Sequence, residues 1–358
     1  MPIAILPGNT LGLPRFSMPP MEAAVPADTV TLNLDDVKTL AKAALMNAGC
    51  DNANAEAIAH VVWMAERDGC SSHGLFRVPG YCKSLSSGKV NGAARPLLDR
   101  AAPSVLWVDG DAGYTPIAHK TMMEDFAELV RAQGVALAAI TNSFHFAALW
   151  PEVEMLSSRG LVAMACTSYK PTVAPHGGRK PLYGTNPLAF SWPRPEGDPV
   201  TFDQASATMA RGDIQIHKRD GKPVPDGVGI DADGNPTNDP EKILEGAQLA
   251  FGGYKGSSIA MMVELLAGPL LGENLSLEAA ETDLDDGGPA RGGEFILAFD
   301  PAKTRQKTES GGNAERLFAA MLEQEGVRLP GQGRKTRRAE VAEKGVVIPR
   351  ALMEQIEI

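Results

Sequence analysis

Two residues that could act together on a small acid stand four positions apart, in Ser71-Ser72-His73-Gly74-Leu75-Phe76-Arg77. On one helical turn, this spacing puts the imidazole of His73 and the guanidinium of Arg77 on the same face. Arginine binds a carboxylate through two parallel hydrogen bonds, and histidine exchanges protons near pH 7. The pair therefore fits a small carboxylic acid with a neighbouring atom that gains or loses a proton. In the alternative interpretation, Ser72 caps a helix and His73 is an ordinary polar neighbour.

Two further segments could bind phosphate groups. Residues 142–150, Asn-Ser-Phe-His-Phe-Ala-Ala-Leu-Trp, directly follow a predicted strand, and a strand-to-helix turn exposes backbone N–H groups that bind phosphate. In Gly253-Tyr254-Lys255-Gly256, the glycines let the backbone approach a ligand and Lys255 supplies a positive charge. Either segment could instead be structural, the first as an aromatic turn packed on the core and the second as a glycine turn that enters a helix.

Two other segments could complete a site. Gly184-Thr185-Asn186-Pro187 is a tight turn before a predicted strand, and by itself it is only a turn. Residues 202–206, Phe-Asp-Gln-Ala-Ser, lead to Arg211-Gly212-Asp213. An acid such as Asp213 could hold the far nitrogen of an imidazolium, as a third group orients the base in catalytic triads. As an isolated carboxylate, Asp213 would simply be solvated.

The common cofactor and metal fingerprints are absent from the sequence. No G-x-x-x-x-G-K-[ST] segment is present, and the match to G-x-G-x-x-[GA] at residues 227–232 neither follows a predicted strand nor opens a helix. The six histidines are scattered and no H-E-x-x-H motif occurs. We therefore expect neither a Rossmann dinucleotide site nor a metal centre.

The elements that would position these residues alternate between helix and strand, which predicts an α/β protein. The patterns predict helices over 54–68, 116–133, 151–159 and 257–272, and strands over 104–109, 135–140, 161–166, 187–192, 200–203 and 294–300. A turn at 109–113 is predicted to end the first of these strands. The last of these helices is predicted to bury Ile259, Met262, Val263, Leu266 and Leu270. Residues 1–30, with six prolines, indicate a loosely ordered extension, and residues 278–293 an acidic surface loop.

Composition excludes several classes of function. The 358 residues carry 34 Lys and Arg against 44 Asp and Glu, so no general basic face for nucleic acid or an anionic membrane is expected. The four cysteines form no C-x-x-C pair, and such sparse cysteines are typical of a reducing compartment, so we expect a cytoplasmic protein. We find no secretory signal, and the most apolar predicted helix is too short to span a bilayer.

Taken together and in order, these segments resemble the malate/L-lactate dehydrogenase family, NAD(P)-dependent oxidoreductases without a Rossmann fold. The resemblance runs from about Leu34 to Ile348. Its marks are Asp68-Gly69-x-x-Ser72-His73-Gly74, Gly184-Thr185-Asn186-Pro187, and Gly256 with the downstream Glu264-Leu265-Leu266-Ala267-Gly268. Within that family, residues 72–81, 145–151, 212–215 and 261–266 are most similar to the Δ1-piperideine-2-carboxylate/Δ1-pyrroline-2-carboxylate reductases.

The resemblance implies a non-Rossmann α/β fold with a helical substrate domain and a mixed-sheet cofactor domain. In this division, residues 31–125 together with 305–358 carry the catalytic histidine, and residues 126–304 bind NAD(P). The resemblance also implies a homodimer that reduces cyclic imino acids with NADPH, with NADH as the alternative cofactor. Such enzymes convert Δ1-piperideine-2-carboxylate to L-pipecolate and Δ1-pyrroline-2-carboxylate to L-proline.

The resemblance further implies a role for each matching residue. His73 is the implied proton donor, with Ser72 and Asp213 as relay partners, and we expect the negative charge of Asp213 to raise the pKa of His73. The implied substrate-binding residues are Arg77, Thr185, Arg211 and Gly212. The implied cofactor-binding residues are His145, Phe146, Ala147, Ala148, Leu149, Asp203, Gln204, Ala205, Tyr254, Lys255, Arg328, Leu329, Pro330, Gly331, Gln332, Gly333 and Arg334.

The chain departs from the family pattern at several of these positions. Tyr254 stands where the family often has His, and Arg211 replaces a residue that is commonly His or small. Gln332-Gly333 stands where an Asp-Arg pair is familiar, which affects the expected preference for NADP over NAD. Two alternatives stay open: a 2-hydroxyacid dehydrogenase acting on malate, lactate or sulfolactate, in which the same histidine takes a hydroxyl proton, and a cofactor-binding protein without catalysis.

Overall fold

Helices and strands alternate along most of the chain. The structure, a computed structural model, describes residues 28–281, 283, 286–303 and 312–357. Most of the predicted extension, residues 1–27, and the beginning of the predicted second part of the helical domain, up to residue 311, lie outside the described residues. The strands are β1 (Thr29–Leu32), β2 (Leu97–Ala102), β3 (Val105–Tyr114), β4 (Val135–Phe144), β5 (Val162–Thr167), β6 (Val173–Ala174), β7 (Leu188–Trp192), β8 (Val200–Gln204), β9 (Gly229–Ile230), β10 (Pro236–Thr237), β11 (Ala247–Leu249), β12 (Gly292–Phe299) and β13 (Val346–Pro349). The helices are α1 (Leu34–Asn47), α2 (Asn52–Arg67), α3 (Val78–Ser86), α4 (Thr115–Gln133), α5 (Trp150–Ser157), α6 (Arg211–Arg219), α7 (Pro240–Glu245), α8 (Tyr254–Ala267), α9 (Ser276–Glu281), α10 (Gly312–Leu322), α11 (Gln332–Lys344) and α12 (Arg350–Glu357).

A seven-stranded mixed sheet forms the centre of the fold, in the order β2-β3-β4-β12-β5-β7-β8. Of its neighbouring strands, β3 and β4 run parallel and the other pairs run antiparallel. The prediction that no Rossmann turn lies at residues 227–232 is confirmed, because this segment enters the short strand β9, which pairs antiparallel with β10 instead of leading into a helix.

The turn predicted at residues 109–113 is wrong, because β3 continues through it to Tyr114. The register between β3 and β4 shifts between Asp109 and Gly113, and Asp111 and Ala112 take positive φ angles of 52° and 53°. A bulge of this kind absorbs turn-forming residues while the strand keeps its neighbour. The long partner strand β4 pairs with β3 on both sides of the bulge, so the segment bends without leaving the sheet.

Two hydrophobic cores lie on different sides of the predicted site. One core packs α4 and α5 against the seven-stranded sheet, around Phe126, Met122 and Leu156. The other packs α1, α2 and α3 with β13 and α12, around Leu45, Ile58 and Tyr81. The expected domain boundary at residues 125 and 126 falls inside α4, and β3 and β4 on either side of it are paired neighbours.

Helix α8 buries a different face from the one predicted. Its buried residues are Gly256, Ala260, Val263, Glu264 and Ala267, whereas Met262 and Leu270, both predicted to be buried, are 36% and 57% exposed. Small side chains on the buried face let the helix approach β5 and β12 closely, and this packing overrides the stripe of larger residues. In the described part of the chain, we find no helix with the length and apolar character needed to cross a membrane.

Asp68 joins the first and last parts of the chain. Its fully buried carboxylate accepts two hydrogen bonds from Arg338 on α11, at 2.7 and 2.8 Å, and a third from Arg67 at 2.7 Å. Burial works against ionisation, but Arg338 and Arg67 hold the pKa of Asp68 below its usual range. The turn after Asp68 leads directly to Ser72 and His73, so this ion pair fixes the base of the predicted site.

We expect Asp68→Asn to lower the free energy of unfolding at pH 7 by about 2–4 kcal/mol, because two arginines lose a buried anionic partner. The deficit should shrink as pH falls below about 4, because the stabilisation from a group whose pKa is lowered by folding is lost as pH falls from its unfolded pKa towards its folded pKa. Urea unfolding at pH 7 and at about pH 3 measures both effects. Asp198→Asn, which removes an exposed ion pair with Lys335 on the same helix, should cost well under about 1 kcal/mol. Equal losses in the two variants would contradict this role of Asp68.

Candidate active site

The segment that carries His73 and Arg77 is two short 3₁₀ turns, Ser71–His73 and Leu75–Arg77, instead of the single helical turn predicted. Gly74 separates the two turns with φ −93° and ψ −136°. A Cβ at position 74 would collide with the carboxyl group of Glu66, which accepts a hydrogen bond from the Leu75 N–H at 2.7 Å. Glycine at position 74 therefore leaves room for Glu66, and both His73 and Arg77 reach the same cavity although the segment is not one helical turn.

Ser72, His73 and Asp213 lie together on one side of that cavity. The Ser72 hydroxyl lies 3.2 Å from Nδ1 of His73. Burial raises the pKa of the Asp213 carboxyl group, whereas a hydrogen bond with Ser72 lowers it. The serine hydroxyl therefore stands between the carboxylate and the imidazole, which leaves Nε2 as the ring nitrogen available to a ligand.

The expectation that Asp213 raises the pKa of His73 is wrong in the ligand-free protein. Burial lowers the pKa of His73 to about 3, and the positive charges of Arg77 and His145 lower it further. Asp213 contacts Ser72 and not the imidazole, so its charge is too remote to offset these effects. His73 is therefore neutral at pH 7 until a ligand changes its surroundings.

Two partly buried guanidinium groups face the cavity without a carboxylate partner among the described residues. Arg77 donates from Nε to the Ser72 carbonyl at 2.8 Å, and its guanidinium lies over the ring of Phe146 at 4.6 Å. Arg211 approaches only the Leu244 carbonyl, at 3.5 Å. Gly212 allows this close arrangement, because a Cβ there would lie 3.3 Å from Nη2 of Arg77 and 3.1 Å from Cβ of Ser72. Such a pair favours an anionic ligand.

The turn that carries Thr185 is held from behind by a buried carboxylate. Glu264 on α8 accepts hydrogen bonds from the Asn186 side chain at 2.7 Å, from the Gly184 N–H at 3.3 Å and from Ser276. Asn186 is fully buried with φ +40°, a conformation that asparagine tolerates better than most residues. This network holds Thr185 at the cavity wall.

One cavity of about 650 Å³ collects most of the predicted site residues. The predicted residues that line it are Ser72, His73, Arg77, His145, Phe146, Ala147, Ala148, Leu149, Thr185, Asp203, Gln204, Ala205, Arg211, Gly212, Asp213 and Arg334. A second hollow of about 380 Å³ is lined by Arg328, Leu329, Pro330, Gly331 and Gly333 and shares Arg334 with the first. Gln332 accepts a hydrogen bond from the Leu329 N–H and so closes that loop on itself.

Tyr254 and Lys255 lie outside both hollows, and both are exposed. The ring of Tyr254 lies against His176, with 6.3 Å between the ring centroids. Their implied contact with a cofactor therefore stays a prediction.

Two of the backbone N–H groups at the start of α5, where the sequence suggested a possible phosphate site, bind the carboxylate of Asp203 instead. Its carboxylate accepts hydrogen bonds from the N–H groups of Leu149 and Trp150, at 2.8 and 3.1 Å. The first N–H groups of a helix bind an anion, and here the anion is a side chain of the protein itself. Asp203 thereby holds residues 145–149 against the cavity.

Several cavity residues were not predicted from the sequence. Tyr169 follows the end of β5, and Gly287 belongs to the acidic loop, where its carbonyl would lie 3.1 Å from a Cβ at Gly80. Nearby, Asp286 of the same loop binds Lys89 at 2.6 Å. The acidic composition of the loop predicted only that it is exposed, and did not indicate a contact with α3. The position of Tyr169 directly after a predicted strand could have identified it as a candidate site residue.

Comparison with known proteins assigns the chain to a family. Residues 32–357 match the family model described as malate/L-lactate dehydrogenase. The chain belongs to the malate/L-lactate dehydrogenase family. It is 46% identical over 332 residues to a Δ1-pyrroline-2-carboxylate reductase of Pseudomonas fluorescens, covering 92% of this chain and 98% of that one. It is 44% identical to a Δ1-pyrroline-2-carboxylate/Δ1-piperideine-2-carboxylate reductase of Pseudomonas aeruginosa, covering 91% and 98%.

The predicted family fold is confirmed by a solved structure. The crystal structure of the Δ1-piperideine-2-carboxylate reductase of Pseudomonas syringae pv. tomato matches with a TM-score of 0.86 and 39% identity, covering 92% of this chain and 99% of that one. Membership of the malate/L-lactate dehydrogenase family implies a nicotinamide cofactor. The cavity fits such a ligand in one respect: Arg334 stacks on Trp150 at 5.2 Å, where the two hollows meet. Its Nη2 donates to Glu154 at 2.7 Å, and its Nε, 3.8 Å from Asp68, makes no hydrogen bond within the described residues.

We expect the burial of neutral His73 to make the protein less stable in mild acid. Between pH 6.5 and about 3, the unfolded chain binds a proton at this ring that the folded chain does not, so stability falls as pH falls through that window. His73→Gln removes this loss. Its free energy of unfolding relative to wild type should therefore rise between pH 6.5 and pH 5 by at most about 2 kcal/mol.

Chemical denaturation of the ligand-free variant and wild type at both pH values measures the difference. His176→Gln, at an exposed histidine, should show no such change. A His73→Gln variant with the pH dependence of wild type would show that His73 is not buried in its neutral form.

Proposed function

We propose that this protein reduces the C=N bond of small cyclic imino acids, converting Δ1-pyrroline-2-carboxylate to L-proline and Δ1-piperideine-2-carboxylate to L-pipecolate. The observation that carries the proposal is the placement of His73, a proton-exchanging group, and Arg77, an anion-binding group, on the wall of one cavity. The relatives named for these two substrates support the choice of an imine over a ketone.

In this proposal, the two guanidinium groups bind the substrate carboxylate. Arg77 supplies the bidentate contact, because Phe146 and the Ser72 carbonyl already fix the direction of its side chain. Arg211 and the N–H of Gly212 approach from the side of α6, and Thr185 from the opposite turn. Holding the carboxylate in this way places the adjacent imine carbon within the near-attack distance of about 3–3.5 Å of a hydride donor.

His73 donates the proton that the imine nitrogen needs, and the substrate itself makes this possible. Arg77 is one of the charges that lower the pKa of His73. A bound carboxylate neutralises part of that charge, so the pKa of His73 rises in the complex and the ring takes up a proton through Ser72 and Asp213. A reduced nicotinamide cofactor supplies the hydride. Hydride addition to carbon and proton addition to nitrogen together give the cyclic amine.

We propose NADPH as the preferred cofactor, with NADH as the alternative. Residues 145–149 and 203–205 would bind its nicotinamide half. Arg328 and Arg334, which line the second hollow, would bind its adenosine half and any phosphate there. Tyr254 and Lys255 stay assigned to the cofactor through the resemblance alone.

We propose, in addition, a homodimer in the cytoplasm and the two-domain division described above. Exposed apolar side chains on α8, among them Met261, Met262 and Leu265, support a partner-covered face. Cys50, Cys70, Cys82 and Cys166 are all free thiols, which supports a reducing compartment. The separate cores around α2 and around α4 support a division into two domains, whereas the α4 core also includes residues of β3 that precede the proposed boundary.

A panel of substrates with both cofactors tests the proposed function. We expect cofactor oxidation with Δ1-pyrroline-2-carboxylate or Δ1-piperideine-2-carboxylate to exceed that with pyruvate or oxaloacetate, and kcat/KM to be higher with NADPH than with NADH. His73→Ala should lose about 10²–10⁴-fold in kcat, the usual contribution of acid–base catalysis. Faster turnover of the 2-oxo acids would favour the 2-hydroxyacid dehydrogenase, and cofactor binding without any turnover would favour the non-catalytic alternative.

We expect Arg77→Lys to raise the substrate KM chiefly, because a lysine cannot make the two parallel hydrogen bonds of a guanidinium. Steady-state kinetics with the preferred imine measures KM and kcat separately. Arg328→Lys is the matched control, because that arginine lines the second hollow and should affect the cofactor KM instead. An unchanged substrate KM in Arg77→Lys would remove Arg77 from carboxylate binding.

A further inference from the structure

Four buried ionisable residues form a cluster behind the cavity wall that the proposed mechanism does not use. His119 on α4 and Glu294 on β12 are joined by a hydrogen bond of 2.6 Å, and His145 and Glu152 on α5 by one of 3.1 Å. All four side chains are at most 7% exposed, and the two imidazole rings lie 6.2 Å apart. The scattered histidines gave no sign in the sequence that two of them meet two glutamates here.

The distances between the side chains of this cluster match hydrogen bonds better than the ligand spacing of a metal site. The ligand atoms of His119, Glu152 and Glu294 all lie within 4.8 Å of one another, so a metal ion is one conceivable occupant. Nitrogen and oxygen ligands around one zinc ion lie about 3.3 Å apart, since each is about 2.0–2.2 Å from the metal. A separation of 2.6 Å between His119 and Glu294 is shorter than that and matches a charge-assisted hydrogen bond.

Each imidazole of the cluster is paired with one carboxyl group. Burial works against a charged His119, but Glu294 and Glu152 raise its pKa to about 9. Burial likewise works against a charged His145, but Glu294 and Glu152 raise its pKa. Burial alone would raise the pKa of Glu294, and the two imidazoles hold it low. Burial raises the pKa of Glu152 despite the two imidazoles, so Glu294 is the main anionic partner of the cluster.

The cluster is oriented with respect to the cavity. His145 lines the cavity, whereas Glu152, His119 and Glu294 lie behind it. Five ionisable groups face His145. They are Glu152 on α5, His119 on α4, Glu294 on β12, Asp203 on β8 and His73 on the first 3₁₀ turn. Glu294 also keeps one oxygen, Oε1, without a hydrogen bond within the described residues. Of the four residues, His145 is therefore the one that faces the ligand, and Glu294 faces the protein interior.

We propose that His119 and Glu294 are positioning residues: through Glu152 they keep an imidazolium at position 145, and so place a fixed positive charge on the wall of the cofactor cavity. The proposal rests on the proposed function, because it assigns that charge to the binding of an anionic nucleotide cofactor. Neither residue touches the cavity, so each acts only through His145. The same charge helps to keep His73 neutral until an anion enters.

A double-mutant cycle of His119→Gln and Glu294→Gln tests the proposal. Glu294→Gln removes one negative charge that holds the proton on His145, whereas the double variant removes one positive and one negative charge and leaves a neutral amide pair. We therefore expect Glu294→Gln to bind NADPH at least about fivefold more weakly at pH 8 than at pH 6, beyond any change in wild type, because His145 loses its proton over that range. The double variant should stay within about twofold of wild type.

Thermal unfolding of the ligand-free variants gives a readout that needs no cofactor. A single substitution leaves one buried charge unpaired, so each single variant should have a lower Tm than the double variant. Ser157→Ala on α5 removes a buried hydrogen bond to Ser191 on β7 without changing a charge. This control variant should lower Tm but leave the pH dependence of NADPH binding as in wild type.

The outcomes separate this inference from the proposed function. If wild type binds NADPH but Glu294→Gln shows the wild-type pH dependence, or if the two Tm losses simply add in the double variant, the network does not control His145. A stoichiometric divalent metal in purified wild type that Glu294→Gln lacks would also overturn the inference, because the cluster would then be a metal site. If wild type binds neither cofactor, the proposed function fails, and the Tm cycle alone still decides whether the four residues act as one network.

Discussion

The electrostatics of the cavity depend on positive charges that the protein leaves unpaired. Arg77 and Arg211 face the same space without a carboxylate partner among the described residues. A guanidinium cannot lose its proton at any ordinary pH, so this wall stays cationic. Burial keeps His73 neutral, and the charge of Arg77 reinforces this effect. The chain as a whole is acidic, so the attraction of this wall for an anion is local.

The rest of the fold supports this wall with carboxylates that bind other donors. Asp68 holds Arg338 and the turn before Ser72, Asp203 caps α5, and Glu264 holds the turn of Thr185. None of these three acids forms a hydrogen bond with Arg77 or Arg211 within the described residues. The anchors come from distant parts of the chain, so the site forms only when the helical layer, the sheet and α11 are assembled.

Sequence patterns predicted the strands whose apolar runs are continuous, such as β5 and β7, and the long amphipathic helix α4. They failed where tertiary packing decided the outcome. The β3 bulge contains residues typical of a turn, and only pairing with β4 keeps them in a strand. On α8, the small residues Ala260 and Ala267 are buried because they permit close approach to the sheet, whereas size alone favoured Met262 and Leu270.

For the site, residue types and spacing identified His73, Arg77 and Asp213 as candidates, and the family resemblance supplied their roles and those of the cofactor segments. The contacts that tune these residues could not be predicted in the same way. Glu66, Glu152 and His119 lie on ordinary helical stretches, and nothing in their local sequence indicates which side chain each will meet. The low pKa of His73 in particular depends first on its burial and then on the charges of Arg77 and His145, and burial is a property of the folded molecule alone.

The contact between Gly74 and Glu66 has a consequence for how this protein can vary. The carboxyl group of Glu66 fills the volume that a side chain at position 74 would need, and it also accepts the Leu75 N–H. A larger residue at 74 is admissible only together with a shorter one at 66, and the shorter one forfeits that backbone contact. The two positions are thus sterically coupled, so a library that varies position 74 needs simultaneous variation at position 66.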